Sequence, residues 1–69
     1  MELSAKEWRK IWEQLYNDGH SNLAGRIAHD LGHVWNSDNW DQRVSLDFDL
    51  EDCRLVQDAA VRAGISASW

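Results

Sequence analysis

Ser4-Ala5-Lys6-Glu7-Trp8-Arg9-Lys10-Ile11-Trp12-Glu13-Gln14-Leu15-Tyr16-Asn17-Asp18-Gly19 is the stretch that decides the fold class of this chain. Trp8, Ile11, Trp12 and Leu15 recur at i, i+3, i+4 and i+7, the spacing that gathers side chains on one face of a helix. Lys6, Arg9, Lys10, Glu13, Gln14 and Asn17 fill the rest of the surface. Both ends carry signals. Ser4 can accept a hydrogen bond from the first turn and Glu7, three residues on, can return one, which makes a capping box. Gly19 suits the left-handed residue after a last turn. The spacing predicts a helix over 3–19.

Working outward, Leu23, Ile27, Leu31 and Val34 form a second apolar stripe, with Ser21 as N-cap and an end near Trp35. Gly25 and Gly32 flank Ala28, a row of small residues where another helix could approach closely. Asn36-Ser37-Asp38-Asn39 is a turn cluster. After it Val44, Leu46 and Phe48 alternate with Ser45, Asp47 and Asp49, the period-two signal of a half-buried strand over 44–48. A third helix is expected from its N-cap Asp49 to Gly64, with Cys53, Val56, Ala60 and Ala63 facing inward and Leu50 and Val61 on another side. The expected fold is mainly α: a compact bundle of three helices with one short extended segment before the last, or alternatively a small α+β fold. Residues 1–69 form a single domain.

A chain of 69 residues buries only about 60% of the surface its unfolded form exposes, so it needs reinforcement. Cys53 stands alone and cannot form an internal disulfide. Bulk is the other route, and Trp8, Trp12, Trp35, Trp40 and Trp69 supply it. Each indole can bury roughly 150 to 250 Å², either in a core or as an anchor for a partner. Self-association is a third route. A lone strand leaves backbone groups unpaired, so Val44, Leu46 and Phe48 are candidates for a two-fold pairing between copies, with a hairpin across Asn36–Asn39 back to His33–Trp35 or an irregular segment hydrogen-bonded to water as the competing arrangements and Leu50, Val61 and Trp69 as the next dimer surface.

The net charge of −5 is not spread evenly. Asp38, Asp41, Asp47, Asp49, Glu51, Asp52 and Asp58 face only Arg43 and Arg54 between residues 38 and 58, which puts the excess in one segment. A field of that sign repels nucleic acid and attracts the basic surfaces that bind it. Direct nucleic-acid binding is not expected, because Lys6, Arg9 and Lys10 are interleaved with acids and the second helix offers only Arg26. No apolar run approaches the roughly 18 residues of a membrane span, and the first residues lack the layout of a signal peptide. A cytoplasmic protein without membrane contact is the expectation.

His29-Asp30-Leu31-Gly32-His33 resembles the His-Glu-x-x-His zinc motif of metalloproteases, in which two imidazoles one turn apart share a metal and the acid between them activates its water. Here Asp30 is one methylene shorter than that base, and Asn36 and Asn39 stand where one large subfamily has glycine and a third histidine. The pair also projects away from Leu23, Ile27 and Val34, toward solvent. No metal, no cofactor and no enzymatic activity are expected, and a zinc-binding domain using His29 and His33 ranks last among the readings.

What remains is an acidic surface on a small tryptophan-rich domain. Asp38, Asp41, Asp47 and Glu51, with Trp40 among them, are the candidate partner-binding residues. The leading expectation is an inhibitor or adaptor whose negative surface blocks a basic nucleic-acid-binding protein. In size and charge it is similar to the DNA-mimicking, anti-CRISPR-like proteins of phages and mobile elements. The second expectation is a regulatory or assembly module that binds a partner helix or dimerises through apolar contacts.

Overall fold

Ser4 closes a short strand and opens a helix, and around it the chain ties its two ends together. The computed structural model describes residues 1–65. Its elements run β1 (Glu2–Ser4), α1 (Ala5–Asn17), α2 (Ser21–Asn36), β2 (Arg43–Ser45) and α3 (Leu50–Arg62). The architecture is mainly α, with three helices and one two-stranded antiparallel sheet.

The capping box forms as the sequence implies. The Glu7 backbone N–H donates to Ser4 Oγ at 3.2 Å, and the Ser4 N–H donates to Glu7 Oε1 at 3.1 Å. The two N–H groups that the box leaves over find carbonyls on the segment before β2: Ala5 donates to Gln42 at 2.8 Å and Lys6 to Trp40 at 3.1 Å. The first turn of α1 is thereby satisfied by side chain and by backbone together.

β1 corrects the strand expectation. Glu2, Leu3 and Ser4 pair with Ser45, Val44 and Arg43, and the ladder continues as Leu46 and Met1 exchange backbone hydrogen bonds of 2.9 and 3.1 Å. The strand is shorter than 44–48, and its partner within the chain is Glu2–Ser4 rather than His33–Trp35, which is helical. Val44, Leu46 and Phe48 all pack against the core, and β2 has a partner on one edge within its own chain.

That core is built from Leu3 and Ala5, Trp8, Ile11 and Leu15 of α1, Leu23, Ala24, Ile27, Leu31 and Val34 of α2, Val56, Ala59 and Ala60 of α3, and Ile65. Trp8 is its largest member, with no exposed surface, and its indole N–H donates to the Val44 carbonyl at 2.9 Å, so burial leaves no polar atom unpaired. On α3 the inward face centres on Val56, Ala59 and Ala60, while Cys53 and Ala63 sit half-buried at its edge. The row of Gly25, Ala28 and Gly32 receives no close helix: a Cβ built on either glycine would meet nothing within 4 Å.

All three helices end on a residue with positive φ. Gly19 (φ 87°) and Gly64 (φ 77°) follow α1 and α3, each within the pair of reversed hydrogen bonds that completes a Schellman turn. Asp38 (φ 59°) follows α2. At its start α2 differs from expectation by one residue: His20, not Ser21, is the N-cap, and no side chain caps the turn.

Candidate functional site

The charged residues sort by what holds them. Arg43 lies 3.8 Å from both Glu2 and Glu7, and Arg26 lies 3.7 Å from Asp52. Arg62 binds Asp18 and Asp58 at 2.6 Å each, which fastens α3 to the end of α1. Asp49 caps α3 by accepting from the Asp52 N–H at 3.1 Å. Those contacts occupy Glu2, Glu7, Asp18, Asp49, Asp52 and Asp58. Asp38, Asp41, Asp47 and Glu51 are exposed and, among the described residues, belong to no ion pair.

These four acids form two groups. Asp38 and Asp41 sit on the turn that crosses the N-terminal end of α1, whereas Asp47 and Glu51 lie at the far end of β2 and the first turn of α3. The six residue steps from Asp41 to Asp47 span at most about 20 Å in extended form. The side chain of Arg43 between them is taken up by Glu2 and Glu7. Glu51 also complements the positive end of the α3 dipole, so it has a local reason to be acidic.

Asp38 has the opposite local setting. It occupies the left-handed position that the other two helices give to glycine, and its carboxylate stands at the negative end of the α2 dipole. A non-glycine residue there costs roughly 1–2 kcal/mol, less for Asp than for most. A negative charge at a helix C-terminus adds about 0.3–1 kcal/mol at low ionic strength.

The tryptophans divide as sharply. Trp8 is core. Trp12 and Trp35 are half-buried and lie edge to face at 6.2 Å, and the Trp35 indole N–H donates to the Ala5 carbonyl at 3.0 Å. Tyr16 stacks on the outer side of Trp12 at 5.6 Å with 59% of its surface exposed, and Arg9 lies over the Trp12 ring at 4.2 Å. Trp40 is half-buried but is not among the side chains packed on the core. It lies in the turn between Asp38 and Asp41. Trp69 lies outside the described residues.

A cleft of about 420 Å³ opens beside the start of α2, lined in part by His20, Asn22 and Arg26. Its cation is already engaged: Arg26 faces Asp52, donates to the Asp47 carbonyl at 3.3 Å and covers the Phe48 ring at 5.4 Å. His29, Asp30 and His33 are exposed on α2, and among the described residues no three His, Cys, Asp or Glu side chains converge as they would around a metal ion. No described helix is long and apolar enough to cross a membrane.

Sequence reasoning singled out the acids and Trp40, but not the setting of Asp38 or the aromatic flank of α1. The first depends on where α2 ends. The second depends on Trp12 and Trp35 meeting across two helices, and only the position of Tyr16 one turn after Trp12 hints at it. Comparison with protein-family models, with curated proteins and with solved structures gave no match.

Proposed function

We propose that this chain is a protein-interaction domain that places its acidic surface on a basic, nucleic-acid-binding partner, in the manner of a DNA-mimicking inhibitor from a phage or mobile element. The observation that carries the reading is the contrast between the two sets of acids. Elsewhere in the domain Glu2, Glu7, Asp18, Asp52 and Asp58 hold Arg26, Arg43 and Arg62 and Asp49 caps a helix, with Glu13 and Asp30 left as single exposed acids on α1 and α2, while Asp38 and Asp41 flank a half-buried Trp40 and, among the described residues, join no ion pair. Asp38 strengthens it, because local energetics favour glycine there and a negative charge is disfavoured. Departures from local rules of this kind concentrate at functional positions. Asp47 and Glu51 add a second acidic group at the start of α3, and complementary fields act mainly on association rate and specificity.

The test is displacement. The protein is titrated into complexes of labelled duplex DNA with a panel of basic DNA-binding proteins, at about 50 mM and about 500 mM salt, between which surface electrostatics are strongly screened. Displacement at low salt is expected, lost when Asp38, Asp41 and Asp47 become Asn and Glu51 becomes Gln. Equal displacement by the neutralised protein would remove the acids from the mechanism.

A second reading rests on α3. Leu50 and Val61 are 71% and 66% exposed, and eleven residues apart they share one helix face. An assembly module binding through that face would hold its partner at high salt and lose it on Leu50→Ser, Val61→Ser substitution.

A further inference from the structure

The exposed flank of α1 and the turn beside it carry opposite charges that do not pair with each other. Lys6, Arg9 and Lys10 are exposed and, among the described residues, in no ion pair; they outnumber the one exposed acid on their flank, Glu13, and Arg9 lies over the Trp12 ring at 4.2 Å. Asp38 and Asp41 lie on the turn whose Trp40 carbonyl accepts the Lys6 N–H at 3.1 Å, so the cationic and anionic patches adjoin along one edge of the molecule. Aromatic side chains border both: Tyr16, Trp12 and Trp35 on the cationic side, Trp40 within the anionic turn.

Two adjoining patches of opposite sign are self-complementary under two-fold symmetry. Rotating a second copy by half a turn sets its cationic flank against the anionic turn of the first, and the reverse contact follows automatically. We infer that this face is covered by a second copy of the chain, with Asp38, Trp40 and Asp41 of each copy seated on Lys6, Arg9 and Lys10 of the other. Trp40 is the anchor. It lacks a place in its own core and meets a cation-lined surface in the partner, where indole and guanidinium or ammonium attract. The second copy gives the acidic turn an occupant when no foreign partner is present, so self-association and partner binding compete for Asp38 and Asp41.

This inference rests on the reading of the 38–41 turn as a docking surface, but its test contains no foreign partner. Sedimentation equilibrium of the whole chain is expected to show a monomer–dimer equilibrium whose dissociation constant rises at least about tenfold between about 50 mM and about 500 mM salt. Trp40→Ala should weaken it by a similar factor. Two reversed variants then address the pairing: Lys6→Glu, Lys10→Glu on one side, and Asp38→Asn, Asp41→Lys on the other, with Asn chosen because it tolerates positive φ. Each alone should be monomeric with an unchanged circular dichroism spectrum, and the equimolar mixture should dimerise, because one contact of the mixed dimer keeps its native signs while in the other the reversed flank meets the reversed turn. Rescue of that kind requires both variants to be folded. A wild type that stays monomeric at high micromolar concentration, a dimer indifferent to both reversals, or a mixture that fails to associate would each overturn the inference. If the dimer fails while DNA displacement persists, the proposed function stands without it. If displacement fails while the dimer forms, the acidic turn serves self-association alone.

Discussion

At the end of α1 the chain turns on Gly19, and at the end of α2 it turns on Asp38. The backbone task is similar. Gly19 donates to the Tyr16 carbonyl and Asp38 to the Trp35 carbonyl, both at 3.2 Å, and both residues have positive φ. The neighbourhoods differ. Around α1 local chemistry and global packing largely agree: the capping box, the two extra carbonyls on its first turn, Trp8 with its indole bonded, glycine where glycine is cheapest, and an acid at the C-terminal end, Asp18, whose charge Arg62 takes up. Around the α2–β2 turn they part, with an acid in the glycine position, its charge at the wrong end of a dipole and an indole without a core to join. One region is organised for stability, and the other tolerates local cost to present charge and an aromatic ring.

The strongest way to break that contrast is through the two tryptophans. Trp8→Ala removes the largest buried side chain and should cost about 3–5 kcal/mol. A domain of this size has a total stability of only several kcal/mol, at about 0.05–0.15 kcal/mol per residue, so unfolding at room temperature is the expected result. Trp40→Ala, at a half-buried position outside the core, should cost about 1 kcal/mol, the usual size for a point substitution. Urea titrations followed by circular dichroism measure both, and equal losses would show that Trp40 belongs to the core after all.

The same contrast explains what could be read from the sequence. The helices were legible because their signals are local: a cap, a period and a glycine lie within one short window, and Trp8, Ile11, Leu15, Leu23, Ile27, Leu31, Val34, Val56 and Ala60 all lie where the periods put them. β1 was not legible. Glu2–Ser4 is too short to show a period, and Ser4 already signals a helix start, so its pairing with Arg43–Ser45 is a contact across about forty positions with no local trace. Trp12 reads like Trp8 by spacing, yet lies at the edge of the buried face, where it meets Tyr16 and Trp35. The acids were visible as a segment. Which of them are engaged was not, because the ion pairs of Arg26, Arg43 and Arg62 join residues distant in the chain, except for that of Arg62 with Asp58.

A smaller effect tests the α1 side of the comparison. Gly19→Ala should destabilise by about 1–2 kcal/mol through the backbone alone, since a Cβ there meets nothing within 4 Å. A neutral result in the same urea titration would mean that the turn has room to relax, and the inference drawn from Asp38 would weaken with it.

The smallest expected change in stability is the most informative. Asp38→Gly relieves the left-handed strain and removes a carboxylate from the negative end of α2, both favourable. Against them stands the extra freedom that glycine gives the unfolded chain, so the net gain should be about 0.5 kcal/mol. Asp38→Asn separates the terms: it keeps a side chain that tolerates positive φ and removes only the charge, and its gain should be smaller and fade as salt screens the dipole. If stability alone governed this position, both variants would be improvements with no cost. If the turn is a docking surface, both should melt higher than the parent protein and yet displace DNA from basic proteins more weakly at low salt. Stability and binding would then move in opposite directions at a single residue. A variant that gains stability and binds as well as before would leave Asp38 an ordinary helix end and return the acidic turn to a role in solubility.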